Sequence, residues 1–193
     1  MDTKLKIQKE TRRLILENGY ASITMNKIYS SLKISAGGLY YHYHSVEEIL
    51  FDIIESETND VWTIFDKVNT FEDFLESLNE YLKLEQKDLL DIDNSLNSIL
   101  YQYYFSLNPK DRQKILKKSH TNVLNKIESL LSKVFLSREH IEVISNHLFV
   151  MLHGLTFLAM SGEINEEKIN NEFEYTLEFI CKLHRLEKLV QKN

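Results

Sequence analysis

The sequence contains very little of three residue types that shape small folds. Of its 193 residues, one is proline, five are glycine and one is cysteine. So few turn-forming residues argue against a sandwich or barrel, which needs many tight hairpins. The single cysteine, Cys181, excludes an internal disulfide and a cysteine-rich zinc site, and it favours a reducing compartment.

The sequence also lacks an apolar leader and a long membrane-spanning run. Residues 1–13 alternate charged and apolar side chains, which is not the pattern of a secretion signal. The most apolar run, residues 148–160, is interrupted by His153, Gly154 and Thr156 and is shorter than the about 18 residues that a membrane span needs. We therefore expect a soluble, cytoplasmic protein.

The apolar residues recur with the period of α-helices throughout the chain. Apolar residues make up 43% of the sequence and charged residues 27%, which is ordinary for a globular protein. The first helix should end at Asn18 and Gly19, and the fourth should run for about six turns, to Val68. We predict an all-α fold of about nine helices, with helix-starting caps at Thr24, Ser35, Ser45, Thr70 and Ser137.

The charge is distributed unevenly along the chain. The net charge is −6, yet residues 1–45 hold seven Lys or Arg against three acidic residues, a net of +4, which leaves −10 for the remainder. A basic head on an acidic body is expected when one end binds a polyanion, although chance clustering would give the same numbers.

Two short helices within this basic head resemble a helix-turn-helix. Residues 25–32 would form the positioning helix and residues 35–43 the helix that enters the major groove of DNA. Ile28, Leu32, Ile34 and Leu39 would form the small core between them. Periodicity alone does not distinguish this motif from any other helical hairpin.

The stretch from residue 19 to residue 50 is similar to the tetracycline-repressor (TetR) family without a gap. The family's string Leu-Tyr-x-His-Phe, followed by Ser-Lys-Glu, reads here as Leu39-Tyr40-Tyr41-His42-Tyr43 and, after His44, Ser45-Val46-Glu47. The matching positions also include Gly19, Tyr20, Thr24, Ile28, Ile34, Ser35, Gly37 and Glu48. The resemblance implies a homodimeric transcriptional regulator, usually a repressor, that a small molecule releases from DNA.

The candidate DNA contacts lie on and around the second and third helices. Small residues of the third helix would allow close approach to the groove, and the long polar side chains beside them would reach phosphates or base edges. Packing within the head is the alternative role for the aromatic ones. The candidates are Thr24, Asn26, Lys27, Ser35, Ala36, Gly37, Gly38, Tyr40, Tyr41, His42 and Ser45.

The chain departs from the family pattern at three positions. Tyr29 stands where alanine is usual, and Lys33 replaces the usual turn glycine, which predicts a left-handed backbone at an unfavourable residue. Val46 replaces a lysine that usually meets a phosphate, so we expect a shallower salt dependence of DNA binding. These departures keep open a second reading, a family member that serves as a protein-interaction module without specific DNA binding.

The remaining residues, 46–193, predict a ligand-binding and dimerisation domain behind a DNA-binding domain of residues 1–45. The eighth helix is apolar almost all round and must be covered on both sides, so we expect a homodimer through helices eight and nine. A small, largely apolar effector would suit the body's aromatic residues. The candidate ligand contacts are Trp62, Phe65, Tyr81, Tyr101, Tyr104, His120, Phe149 and His153.

An enzymatic role finds no support in the sequence. The phosphate-binding, dinucleotide-binding and nucleophile-elbow motifs do not occur. His140 and His147 lie seven residues apart, but no third ligand completes a metal face. We therefore expect neither catalysis nor a cofactor or metal ion.

Overall fold

The computed structural model describes residues 2–190 and confirms the all-α fold. Three short 3-10 helices, Tyr20–Ser22, Thr63–Phe65 and Ile92–Asn94, lie between the longer helices. No β-strand occurs within the described range. The nine α-helices of that range are α1 (Thr3–Asn18), α2 (Met25–Leu32), α3 (Ala36–Tyr40), α4 (Val46–Trp62), α5 (Phe71–Leu90), α6 (Leu96–Ser106), α7 (Pro109–Leu131), α8 (Arg138–Met160) and α9 (Glu166–Val190).

The five predicted N-caps are confirmed. Each hydroxyl accepts a hydrogen bond from the backbone amide three residues later, which satisfies one of the free amides at a helix start. Before α5 the pair is reciprocal, because the Asp73 carboxylate also accepts from the Thr70 amide, at 2.9 Å. Before α4 the return bond differs, since the Glu48 carboxylate accepts from His44, one residue earlier than a capping box requires. The caps are Thr24, Ser35, Ser45, Thr70 and Ser137.

Two predicted helices are shorter in the structure. The fourth was expected to reach Val68, but α4 ends at Trp62 and continues as a 3-10 turn. The Thr63 hydroxyl donates to the Asp60 carbonyl at 2.6 Å, a local bond of the kind that competes with regular helix. The third helix, α3, ends at Tyr40 instead of running to residue 43.

The helices group into two compact units. The first contains the residues up to Thr63 together with Asp93–Pro109, so α4 and α6 belong with α1–α3. The second contains Ile64–Ile92 and the chain from Lys110 onward. The functional boundary after residue 45 stays a prediction, because a compact unit and a functional domain need not have the same limits.

The core of the first unit is built from one apolar stripe of each helix. The stripe predicted for α1 is confirmed, with Ile7, Thr11 and Ile15 fully buried and Leu14 nearly so. The α1 stripe is joined by buried residues of the other helices, and these fix the small helices against the long one. They are Ile28, Leu39, Ile49, Leu50 and Tyr103.

The second unit consists of α5, α7, α8 and α9, and α5 packs against both α8 and α9. A buried carboxylate near the end of α9, Glu187, satisfies the start of α8. Its two oxygens accept from the Leu136 amide at 3.0 Å and the Ser137 amide at 2.9 Å. His140 Nδ1 lies 2.9 Å from Oε1. Burial opposes ionisation of Glu187, but these donors hold its pKa below the usual value.

The helix α8 has the length and composition to cross a membrane, over an 18-residue window that is wider than the apolar run of residues 148–160. A core helix of a soluble protein meets the same criterion. In this structure His140 contacts Glu187, and His147 Nε2 lies 2.9 Å from the Thr176 hydroxyl of α9. Two histidines of α8 therefore have polar partners on α9 within the same unit.

The turn between α2 and α3 contains one non-glycine residue with positive φ. Lys33 adopts φ 55° and ψ 37°, the left-handed conformation that its place in the turn predicted. This conformation costs a residue with a Cβ about 1–2 kcal/mol, a cost that glycine avoids. Glycine has greater conformational freedom in the unfolded chain, and this offsets part of the advantage.

Replacing Lys33 by glycine should therefore stabilise the protein by up to about 1 kcal/mol. The measurement is urea denaturation of the wild type and of Lys33→Gly. The control is Lys27→Gly in α2, where glycine should destabilise by up to about 1 kcal/mol. Equal destabilisation by both substitutions would contradict the strain at Lys33.

Replacing Glu187 by alanine should destabilise the protein by about 1–3 kcal/mol at neutral pH, because two part-buried amides lose their acceptor. Since the folded-state pKa is lowered, this stabilisation is present above the unfolded pKa, about 4.5, and is lost as the pH falls through the folded value. Denaturation curves measured from pH 7 to pH 3 should show that the difference in free energy of unfolding between wild type and Glu187→Ala becomes smaller as the pH falls. The control Glu174→Ala, at an exposed position of the same helix, should leave the free energy of unfolding almost unchanged at any pH.

Candidate nucleic-acid interface

The helices α2 and α3 form a helix-turn-helix whose angle is set by a small core. Ile28 of α2 and Leu39 of α3 are both fully buried, whereas Leu32 and Ile34, also predicted for this core, are only half-buried. The turn between them closes through the Lys33 and Ile34 amides, which donate to carbonyls of the last turn of α2. These contacts hold α3 in one orientation and leave its outer face open.

The short helix α3 is stabilised by its cap, and its two glycines differ. The Ser35 hydroxyl accepts from the Gly38 amide at 3.0 Å. A Cβ at Gly38 would lie only 3.2 Å from that hydroxyl, so a side chain there would disturb the cap. A Cβ at Gly37 would meet nothing within 4 Å. Gly37 therefore has no internal steric reason to be glycine.

The structure exposes most of the predicted DNA contacts. Tyr41 is 85% exposed and Tyr40 46%, and Ala36 and Gly37 lie on the same open surface of α3. Gly38 and His42 are half-buried, and the His42 ring packs edge-on against Tyr41 at 5.1 Å. Thr24, Ser35 and Ser45 are also exposed, but their hydroxyls accept hydrogen bonds from backbone amides at the starts of α2, α3 and α4. The exposed candidates are Thr24, Asn26, Lys27, Ser35, Ala36, Gly37, Tyr40, Tyr41 and Ser45.

Ion pairs reduce the positive charge that the head can offer to phosphates. Lys4 pairs with Asp52 at 2.9 Å, Arg12 with Glu57 at 3.1 Å, and Arg13 with both Glu10 and Glu17 at 2.6 Å. The count of seven basic residues therefore overstates the available charge. Within residues 2–190, the head's basic side chains without a carboxylate in ion-pair range are Lys6, Lys9, Lys27 and Lys33.

One carboxylate that was not among the predicted site residues, Asp52, joins the helix-turn-helix to α1 and α4. Asp52 of α4 accepts hydrogen bonds from the Tyr43 hydroxyl, which follows α3, and from Gln8 Nε2 of α1 at 2.6 Å. Lys4 adds its ammonium group. Burial would raise the pKa of Asp52, but these three donors hold it below its usual value. The sequence signal was the i, i+4 spacing of Lys4 and Gln8.

The same carboxylate lies at the wall of an open cleft of about 480 Å³ in the first unit. His42 and Ser45 line the cleft beside three further carboxylates, Glu47, Glu48 and Glu55. The acidic lining would repel phosphate. Of the predicted DNA contacts, those on the exposed surface of α3 are therefore better placed for a nucleic acid than His42.

The helix α6 belongs to the first unit, and its Tyr103 is buried there. The Tyr103 ring is 1% exposed and lies edge-on to Tyr20 at 5.3 Å and to Phe51 at 5.5 Å. Its hydroxyl donates to Glu47. The neighbouring Gln102 side-chain oxygen accepts from the Tyr20 amide at 2.8 Å. Together these contacts attach α6 to the start of α4 and to the turn after α1.

The structure divides the eight candidate ligand contacts between the two units. In the first unit, Tyr101 and Tyr104 of α6 pair with ring centroids 6.4 Å apart, and Trp62 ends α4. In the second unit, Phe65 and Tyr81 lie 5.8 Å apart.

A separate cluster of the second unit contains the other three candidates. The Phe149 ring lies 4.4 Å from that of His120 and is stacked on His153 at 4.0 Å. Burial lowers the pKa of His153, which favours its neutral form. The second unit therefore holds five of the candidates in two aromatic groups, and their part in binding a ligand stays a prediction.

Comparison with known proteins agrees with the geometry of the head. Residues 7–53 match the family model of bacterial regulatory proteins of the tetR family. The HTH-type transcriptional regulator SAB2452 of Staphylococcus aureus is 26% identical over 164 residues, which cover 74% of this chain and 87% of that protein.

Solved structures share the fold of the whole chain. A transcriptional regulator of the TerR/AcrR family from Aquifex aeolicus has a TM-score of 0.66 at 21% identity, covering 94% of this chain and 99% of its own. SmeT in complex with triclosan has a TM-score of 0.64 at 14% identity, with coverages of 91% and 90%.

The fold and the exposed α3 thus define a helix-turn-helix at the start of an all-α chain. Over residues 7–53 the chain is similar to the tetR family of bacterial regulatory proteins, and its overall fold is similar to that of solved regulators.

Replacing Gly37 by alanine should separate folding from DNA binding. Alanine favours the helix by up to about 1 kcal/mol, and its Cβ meets open space, so the protein should be equally or more stable. DNA binding should weaken, because the methyl group occupies the surface that approaches the groove. The measurements are thermal unfolding and a mobility-shift titration with selected genomic fragments. The exposed Asn59→Ala on α4 should leave DNA binding unchanged, and unchanged binding by Gly37→Ala would contradict the assignment.

Proposed function

We propose that this protein is a transcriptional regulator of the TetR family, a repressor that binds a palindromic operator as a homodimer and is released by a small, largely apolar effector. The observation that carries the proposal is the outer surface of α3, where Ala36, Gly37, Tyr40 and Tyr41 are exposed on a helix held by a buried core. A major groove admits one such helix. Small residues permit close approach, and the two tyrosines reach outward to bases or phosphates.

Exposed apolar side chains on α8 and α9 support the homodimer. Val143, Val150 and Phe157 recur every seven residues on α8 and are 45%, 67% and 67% exposed. On α9, Leu186 and Leu189 are 45% and 61% exposed. A regular apolar stripe of this kind is a surface for another helix pair. A twofold dimer would also bring two copies of α3 to successive major grooves, about 34–36 Å apart.

The route from effector to DNA would pass through α6. The chain leads directly from α5 into α6 and from α6 into α7, and both neighbouring helices belong to the second unit. Tyr103 and Gln102 attach α6 to the head. A ligand that binds one arrangement of α5–α7 better than another would shift α6, and with it α4 and the reading helices. DNA and effector should then oppose each other reciprocally.

The effector proposal draws on the aromatic groups of the second unit and on one structural relative. SmeT was solved with triclosan, a small molecule. Here the two groups described above, Phe65 with Tyr81 and the cluster around Phe149, would contact the effector. We further propose that the protein works in the cytoplasm, without catalysis and without a cofactor or metal ion.

A second candidate function is favoured by the electrostatics of the head. Three of its seven basic residues are engaged in ion pairs, and an acidic cleft adjoins α3. A head with this charge pattern could bind a protein partner in place of specific DNA. Retained affinity for duplex DNA distinguishes the two functions.

Selection of bound fragments from the source organism's genomic DNA tests the main proposal. The wild type should enrich a small set of palindromic sequences over random duplex, and recovery of no preferred sequence would favour the interaction module. Tyr40→Ala should weaken binding to those fragments by roughly 1–3 kcal/mol while the dimer persists. Loss of the dimer in this variant would reassign Tyr40 to packing.

Replacing Val150 by aspartate should break the dimer, because it places a charge within an apolar interface. Sedimentation velocity should show a monomer, and affinity for the selected fragments should fall with it. The exposed Asn125→Asp on α7 introduces the same charge elsewhere and should leave a dimer. A Val150→Asp protein that remains dimeric would show that the subunits meet at another surface.

A further inference from the structure

The helix α7 carries a strong positive charge in a part of the chain that is otherwise acidic. Residues 110–126 of this helix hold six Lys or Arg and one acidic residue, a net of +5. The other residues from 46 to 193 carry a net charge of −15. The positive charge beyond residue 45 is therefore concentrated in one segment that the proposed function does not use.

Four of these basic residues lie on one face of α7. Lys114, Lys117 and Lys118 follow Lys110 by four, seven and eight residues, the spacing at which side chains share a helix face. Polar residues continue the same face for two more turns, and every member is exposed. This surface, the lysine face, consists of Lys110, Lys114, Lys117, Lys118, Thr121 and Asn125.

The central lysines of this face are not neutralised within the chain. No ion pair among the described residues involves Lys114, Lys117 or Lys118. The head differs, because three of its seven basic residues are engaged in ion pairs. Like charges three and four residues apart also destabilise a helix, so the lysine face works against the stability of α7. An anionic partner would supply the missing negative charge.

The composition of the lysine face indicates which anionic partner it fits. Its six residues include no apolar side chain to insert into a membrane and no aromatic anchor of the kind that dominates protein interfaces. They also include none of the aromatic rings on which single-stranded nucleic acids stack their bases. Lys, Thr and Asn are instead among the side chains that contact the phosphates of duplex DNA.

The spacing of the charges also fits a duplex. From Lys110 to Lys118 the helix rises by about 12 Å, and four positive charges lie within that length. Duplex DNA carries one negative charge per about 1.7 Å of its axis. A close-set row of lysines therefore meets a partner of similarly high charge density, and each phosphate that it neutralises releases a counterion.

We propose that the lysine face of α7 is a second surface for duplex DNA, which binds the phosphate backbone without regard to base sequence. The surface is separate from α3 and adds affinity for any duplex. The inference goes beyond the proposed operator site, and it holds whether or not α3 recognises a specific sequence.

A photo-crosslinking residue within the lysine face tests the contact directly. Thr121→p-benzoylphenylalanine in the full chain should cross-link to a random-sequence duplex under ultraviolet light. The matched control is Asn79→p-benzoylphenylalanine, an exposed position on α5, which should not cross-link. No cross-link from position 121, or equal cross-linking from both positions, would overturn the proposal.

Three glutamines in place of the central lysines measure the electrostatic contribution. Lys114→Gln, Lys117→Gln and Lys118→Gln are combined in one variant, because glutamine favours a helix almost as well as lysine. Its affinity for a random-sequence duplex should fall at least about tenfold at roughly 0.1 M salt. The slope of log affinity against log salt concentration should become shallower by up to about 3. Wild-type affinity and slope in this variant would overturn the proposal.

A matched variant removes the same charge elsewhere. It combines Lys67→Gln, Lys83→Gln and Lys133→Gln, at exposed positions on three separate segments. Its affinity for the random-sequence duplex should change less than about twofold, because these lysines do not form one face. A loss as large as that of the lysine-face variant would show that only the net charge matters, which would overturn the proposal.

Two other polyanions test the choice of partner. Vesicles of phosphatidylserine and a polyglutamate peptide stand for an anionic membrane and an acidic protein segment. The wild type should bind the random-sequence duplex more tightly than either of them. Tighter binding to the vesicles or to the peptide, lost in the lysine-face variant, would assign the face to that partner and overturn the proposal.

Failure of this inference is distinguishable from failure of the proposed function. Tyr40→Ala should lose preference for the selected genomic fragments, while the cross-link from position 121 remains. The lysine-face variant should keep that preference and lose affinity for every duplex. A wild type that prefers no fragment but still cross-links from position 121 would refute the operator site and retain the α7 surface.

Discussion

The arrangement of the head depends on one carboxylate that three segments share. Asp52 of α4 accepts from Tyr43, just beyond α3, and from Gln8 and Lys4 of α1. The helix α3 has only five residues and contains two glycines, so it has little stability of its own. Its position is therefore set by the residues around it, and the Asp52 cluster joins the reading helix to α1 and to α4.

The parts of the fold that could be predicted from sequence are those fixed by local geometry. Helix caps depend on a bond to the amide three residues later, so Thr24, Ser35 and Ser137 could be recognised from spacing alone. The left-handed turn at Lys33 was also predictable, because it follows from the position in the motif. The buried positions of α1 follow from the helical period of the residues on one face alone.

Other features depend on contacts between distant residues and could not be predicted. The end of α4 could not be read from its apolar positions, since Val68 is buried after the chain has left the helix. Tyr103 could not be distinguished from its neighbour Tyr104 until α6 was seen against the head. The net charge of residues 1–45 overstated the positive charge available to phosphates for the same reason. The carboxylate partners of Arg12 and Lys4 lie more than forty residues away in sequence. Of the candidate sites, the head's exposed residues were predictable and the grouping of the ligand residues was not.

The bond from Glu187 to the start of α8 links residues that are 51 positions apart. The first turn of α8 has its full set of acceptors only when the last turns of α9 have docked. The two ends should therefore open as one cooperative unit. Amide hydrogen exchange at residues 136–140 should report fraying of a helix end that lies almost fifty residues downstream.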